Sequence, residues 1–272
     1  MSRKGKRILR LLGLCAGLVG GVLVLGFAER SAGDRPVNGI KVHMYDADGV
    51  HFLDEVAVER VVLDQGVAVL GAPMRAIDLA TMEERLRALP CVADADVYHT
   101  MDGVLHVNVR QRIPIVRVFN SDGSSFFIDE EGWTMPPSAT WSPRVPVVTG
   151  PLNETGARTG VRHVGDLDSA SVHSAAIHRL AEFIHADPLW RAMVDQIVID
   201  AQGGYELVPT VGPTRIVLGR ADEWPDEQAL QQRFNKLKLF YEQGVPRAGW
   251  RRYARIDLRF GRQVVCTKRT QP

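Results

Sequence analysis

The chain has 272 residues, with 33 basic and 32 acidic side chains, a hydrophobic fraction of 45% and three cysteines. That length admits two small domains with a core of ordinary size, and the composition is that of an average globular protein, so neither points to a chemistry. Five basic residues, Arg3, Lys4, Lys6, Arg7 and Arg10, lie at the N-terminus; the other 28 face 32 acidic residues, a formal net charge of −4. A nucleic-acid partner is excluded from the reading, because no basic face is written here.

Residues 1–7 are a basic tail ahead of an apolar run over residues 8–27. About 20 residues of helix span roughly 30 Å, the thickness of a bilayer's hydrocarbon core. The charge asymmetry predicts a transmembrane helix with the tail in the cytoplasm and the bulk of the chain exported. A signal peptide is the rival, but the run exceeds the roughly 7 to 15 residues of an h-region and no A-x-A triplet follows. Residues 28–38 form a polar linker with Gly33 and Pro36.

Residues 39–113 are predicted to form a small α+β module. "GIKVHM" is a strand, and "FLDEVAVERVVLDQG" is a helix with Val56, Arg60 and Leu63 at helical spacing and Gly66 as its stop. Asp78 caps a second helix that Pro90 ends. "CVADADVYHT" and "GVLHVNVRQR" alternate on either side of Asp102-Gly103, a β-hairpin signal. Arg110 and Arg112 are expected on the charged outer face of the last strand, and Pro114 opens the next domain.

Residues 114–272 are predicted to form a mixed β-domain with two helices. Short strands cover "IVRVF", "SSFFID" and "RVPVVTG", and residues 151–166, with three glycines, are expected to be an exposed loop. A helix is predicted from Ser169 to His185, with Val172, Ala176, Leu180 and Phe183 on one face and Asp187-Pro188 closing it. Strands "QIVIDA", "GYELVP" and "TRIVLGR" precede a helix from Pro225 to Gln243 that turns Leu230, Phe234, Leu237 and Tyr241 inward. "YARIDLRFGRQVVCTK" closes the chain. Read as one strand it would put Arg262 on the face of Leu258 and Phe260, so a hairpin is predicted, with a two-residue turn at Gly261 and Arg262 and an edge strand from Gln263 to Lys268.

The chemistry-bearing residues fit no catalytic pattern. Ser124 and Ser125 follow Asp122-Gly123 at a hairpin tip, and no G-x-S-x-G, P-loop or dinucleotide-binding glycine pattern occurs. His178 and His185 are about 10 Å apart on a helix, too far for one ion, and "DADG" at residues 46–49 lacks the spacing of a calcium loop. No catalytic residue, cofactor or metal is expected. Cys91 and Cys266 are read as two separate buried thiols, a long-range disulfide being the alternative in an oxidising compartment.

The ordered combination of a basic membrane span, "GVLHVNVRQRIPIV", "FFIDEEGWTMP", "RVPVVTG", "RFNKLKLFYEQG" and "GWRRYARIDLRFGRQVVCTK" resembles the FtsQ/DivIB family of bacterial cell-division proteins from Arg3 to Arg269. The resemblance implies a POTRA domain at 39–113, a partner-binding β-domain at 114–272, and a non-enzymatic, single-pass inner-membrane scaffold of the divisome, enriched at the septum. It further implies FtsB-like and FtsL-like partners, control of septal peptidoglycan synthesis, and strand addition by the FtsB-like partner at the last strands. By the same resemblance the partner surface includes Arg220 and Phe260, with Gly261, Arg262, Gln263, Val264 and Val265 extending the edge. Some relatives have a longer final turn and a tryptophan in the last strand, which this chain lacks. Another POTRA-containing exported assembly or chaperone protein would need tandem modules or a following barrel; an exported hydrolase would need a pocket with convergent titratable groups.

Overall fold

The computed structural model describes residues 34–45, 49–64, 68–138, 141–244, 249, 252–261 and 263–269, together with Gly17 and Gly20. The expected membrane span over 8–27 otherwise lies outside these residues. Among the described residues no helix is long and apolar enough to cross a membrane. The chain divides into two compact units, Met1–Asp46 with Leu53–Gln111, and Ala47–Phe52 with Arg112–Pro272.

The first unit runs β1 (Gly39–Tyr45), α1 (Glu55–Leu63), α2 (Leu79–Arg87), β2 (Val92–His99) and β3 (Val104–Gln111), the order expected. Its three-stranded sheet is ordered β1-β3-β2, with β1 parallel and β2 antiparallel to β3. Asp54 and Asp78 each accept a hydrogen bond from the amide three residues on, which starts the two helices. Gly103 closes the β2–β3 turn at φ 90°, a conformation that disfavours other residues. The inward face of α1 differs from expectation: Val56 is 61% and Leu63 39% exposed, while Val58 and Val62 are fully buried. Valines recur along the whole helix, so spacing alone admits two stripes, and packing against Leu105, Val107 and Val109 selects the 58/62 pair.

The second unit is a nine-stranded sheet ordered β12-β11-β10-β9-β8-β7-β4-β5-β6. Its strands are β4 (Pro114–Phe119), β5 (Ser125–Asp129), β6 (Thr134–Met135), β7 (Val147–Thr149), β8 (Val194–Ile199), β9 (Gly204–Pro209), β10 (Arg215–Arg220), β11 (Tyr253–Asp257) and β12 (Val265–Lys268). Helices α3 (Ser174–Ala186), α4 (Pro188–Met193) and α5 (Glu227–Leu239) supply the other half of the core. Phe234 is fully buried, its ring 4.7 Å from Phe183 and 4.9 Å from Trp190.

Several expectations for this unit are corrected. Residues 151–166 are only in part the exposed loop expected: residues 158–160 are exposed, but Leu152, Glu154 and Thr155 are buried. The Glu154 carboxylate accepts from the amides of His173 at 3.1 Å and Ser174 at 2.8 Å and from the Ser174 hydroxyl, and so caps the positive end of α3. That cap starts α3 at Ser174 rather than Ser169 and leaves Val172 outside it, 74% exposed. Arg112 does not lie on a charged outer face; it is buried, 2.9 Å from Asp129 and against the Trp133 ring. The last predicted helix is α-helical only to Leu239 and finishes as a π-turn over Phe240–Gly244. Cys91 and Cys266 form no disulfide; each is half-buried.

The closing hairpin forms, but its ladder ends where Asp257 faces Val265, so β11 stops before Leu258 and the connection is longer than the two-residue turn expected. Arg259 accounts for the early stop. Its guanidinium grips both Asp257 carboxylate oxygens at 2.7–3.2 Å, while its own amide donates to the same carboxylate at 3.1 Å. The bond from the Arg259 amide to the Asp257 side chain is a local turn contact that competes with a ladder hydrogen bond, so the chain leaves the sheet at residue 259. Burial works to raise the Asp257 pKa, but the Arg259 hydrogen bonds outweigh it and hold the carboxyl below its ordinary value.

Two outcomes follow from this packing. Phe234→Ala should lower stability by about 3–5 kcal/mol in chemical denaturation, the range for emptying a fully buried phenylalanine site; a loss under about 1 kcal/mol would show that the α3–α5 contact is not the centre of the core. Because the folded-state pKa of Asp257 is depressed, its stabilisation is present above the unfolded carboxyl value of about 3.9 and is lost as pH falls through the folded value. The wild type should therefore lose more of its thermal midpoint than Asp257→Asn between pH 5 and pH 3, and equal losses would contradict the pairing.

Candidate functional site

The two ends of the nine-stranded sheet differ. At one end β6 is two buried residues long, the Thr134 amide donates to the Arg162 carbonyl at 2.8 Å, and Trp133 bridges His163, so that edge is covered. At the other end β12 pairs with β11 and, among the described residues, has no strand on its outer side. Its unshared backbone N–H and C=O groups form an open edge. Val265 is 39% exposed and Thr267 and Lys268 are exposed, whereas Val264 and Cys266 pack partly against the core.

The sheet topology decides what lies beside this edge. β10 and β11 are parallel, with Val217 opposite Asp257, so Arg220 at the end of β10 and the segment after Asp257 leave the sheet at the same end. β12 is antiparallel to β11 and begins there, with Val265 opposite Asp257. The sequence-predicted residues Arg220, Phe260, Gly261, Gln263, Val264 and Val265 are thereby gathered at one corner. Arg262 lies outside the described residues.

At that corner Phe260 is 43% exposed, an aromatic side chain in a bend rather than in a strand. The Arg220 side chain is 61% exposed, with Nε 3.1 Å from Asp222 and Nη1 3.1 Å from the Gln202 carbonyl. A solvent-exposed pair of this kind is worth little, so Arg220 is available to exchange its partner.

Sequence reasoning missed the residues that hold the corner in place. Lys236, on α5, donates from Nζ to the carbonyls of Leu258 at 2.8 Å and Phe260 at 2.6 Å; burial, then Arg233, push its pKa down. Arg233 donates to the Leu218 carbonyl at 3.2 Å and lies 3.7 Å from Glu223, and burial lowers its pKa while Glu223 opposes the shift. Gly219, at φ 89° beside a bulge in the β9–β10 ladder, lets the chains close in. A Cβ there would stand 2.5 Å from Glu223 Oε2 and 2.9 Å from Arg259 Cγ. The isolated glycine in "RIVLGR" was the available signal, since a glycine inside a strand marks a bulge or a close approach.

The residues considered for chemistry are placed elsewhere. The Ser124 hydroxyl donates to Asp122 at 2.6 Å and, with the Ser124 amide and Arg158, holds that carboxyl down to about 2. His178 meets the Glu130 carbonyl at 3.1 Å, and burial followed by Arg191 pushes the His185 pKa down. Among the described residues no three His, Cys, Asp or Glu side chains come together as metal ligands. A cleft of about 250 Å³ between α3 and α5 has Phe183 and Leu230 in its lining with Glu182, Asp187 and Glu227, and no serine, cysteine or histidine.

Comparison with known proteins agrees with this architecture. A family described as "FtsQ/DivIB, C-terminal related" matches residues 113–267, and a POTRA-like domain matches residues 36–110. A cell division protein FtsQ from Rhodothermus marinus is 28% identical over 207 residues, covering 74% of this chain and 70% of that protein. With more than half of its length matched by the C-terminal family and a POTRA-like module ahead of it, the chain belongs to the FtsQ/DivIB family of cell-division proteins.

Proposed function

We propose that this protein is a non-catalytic scaffold of the bacterial division machinery that receives a strand from an FtsB-like partner along β12. In this reading residues 1–7 are cytoplasmic, residues 8–27 anchor the chain in the inner membrane, and residues 28–38 link the anchor to the periplasmic units. The 39–113 module serves recruitment to the septum, and the 114–272 domain binds FtsB-like and FtsL-like proteins and through them helps control septal peptidoglycan synthesis. The observation that carries the reading is the open β12 edge, with an exposed aromatic and an exposed arginine at its corner.

An incoming strand would complete the backbone hydrogen bonds of β12, which supplies affinity without regard to sequence. Phe260 and Arg220 would add specificity, because partly exposed aromatics and arginines are the side chains that dominate interfaces once desolvated. Lys268 at the end of β12 discourages pairing with unrelated strands.

Phe260→Ala and Arg220→Glu should each weaken capture of the FtsB-like partner by about 2 kcal/mol, roughly 30-fold in Kd, with circular dichroism unchanged. Unaltered affinity in both variants would remove the assignment.

A further inference from the structure

We propose that Lys236 is the positioning residue that fixes Phe260 at the docking edge; the proposal rests on the reading of β12 as that edge. Phe260 lies beyond the last pair of the β11–β12 ladder, so the sheet's own hydrogen bonds do not hold it. What holds the segment can be followed bond by bond. The Leu258 amide donates to the Val217 carbonyl at 3.0 Å, and the Leu258 side chain is fully buried. The Arg259 amide and guanidinium close onto Asp257. These contacts fix the chain up to residue 259 and leave the orientation of residue 260 open.

Lys236 completes the restraint. Its ammonium bonds the carbonyls of residues 258 and 260 together, and two carbonyls drawn to one point define the bend between them, and with it the direction in which the Phe260 side chain leaves the backbone. Bonds from a charged donor are about twice as strong as neutral ones. An ammonium is a compact charge with three rotatable donors, suited to converging carbonyls in a way that a planar guanidinium is not. Lys236 reaches the segment from α5, whose Phe234 and Leu237 are locked into the core, so the clamp transmits the rigidity of the core to an exposed side chain. Holding an anchor residue in its bound direction removes an ordering cost from association.

The same logic explains why an exposed phenylalanine in a bend can serve as an anchor. Without the clamp, residues 260 and 261 would sample several directions, and only a fraction of the molecules would present Phe260 productively.

The test uses the full-length protein in lipid nanodiscs and the FtsB-like division protein of the same cell. In Lys236→Met the backbone order parameters of Phe260 and Gly261 should fall from about 0.85 to below about 0.6, with amide exchange at Leu258, Tyr253–Asp257 and Val265–Lys268 unchanged. Binding should weaken about tenfold, and Lys236→Met combined with Phe260→Ala should bind no worse than Phe260→Ala alone, because both act through one side chain. Unchanged order parameters at Phe260 and Gly261, or binding losses that add in full, would overturn the proposal. Should Lys236→Met open the ladder itself, Lys236→Gln, which keeps a neutral donor, is measured with the same two outcomes deciding. If Phe260→Ala binds normally, the docking reading falls, and the order parameters alone decide whether Lys236 holds the segment.

Discussion

Everything at the C-terminal corner depends on the parallel pairing of β11 with β10. Parallel neighbours cannot be joined by a tight turn; the chain must cross over a face of the sheet, usually as a helix. Here α5 makes that crossing and buries Leu230, Phe234 and Leu237. Because the crossing is anchored in the core, β11 is laid down in a fixed register, with Val217 opposite Asp257. The return to β12 then has only one place left, the outside of the sheet. One packing event therefore sets both the open edge and the coincidence of Arg220, Phe260 and Val265 at the same end.

Polar groups supply the rest of the definition. Glu154 is buried because the first amides of α3 need an acceptor. Asn120 pins it in turn, bonding its amide and its carbonyl at 2.8 and 2.9 Å. Burial and then the Glu154 charge push the neighbouring Tyr205 hydroxyl's pKa up, and Tyr205 meets His173 at 3.0 Å and the Trp224 ring edge-on. Arg112 and Asp129 form a second buried pair at 2.9 Å. Buried charges are costly unless fully bonded, and Asp129 also accepts from the Trp133 amide at 2.7 Å. Both networks tie loops to the sheet that apolar packing alone would leave loosely placed.

Local signals in the sequence were read correctly where the physics is local. Asp78 as a cap, Asp102-Gly103 as a turn, and the strand–helix–helix–strand–strand order of the first unit depend on neighbours within a few residues. The alternation in "YARIDLRF" indicated a strand, but it continues through Phe260 while the strand does not, because Asp257 and Arg259 close on each other. No period reveals that two charged residues will pair rather than face solvent. The stripe of α1 and the burial of Leu152, Glu154 and Thr155 were likewise set by tertiary partners. Lys236 was invisible for the same reason: on a helix it reads as one more solvated charge, and its acceptors lie 22 and 24 residues away. The residues of the docking corner came from resemblance and not from spacing, and their meeting at one end of the sheet required the strand order.

The central claim is that the outer side of β12 receives a partner's strand. Amide exchange along residues 263–269, with and without the FtsB-like protein, tests it most directly, since strand addition must place hydrogen bonds on groups now open to water. The account predicts slowed exchange in β12 on binding, with the cleft between α3 and α5 unaffected. Slowing confined to the α3–α5 cleft, with β12 exchanging as in the free protein, would contradict it.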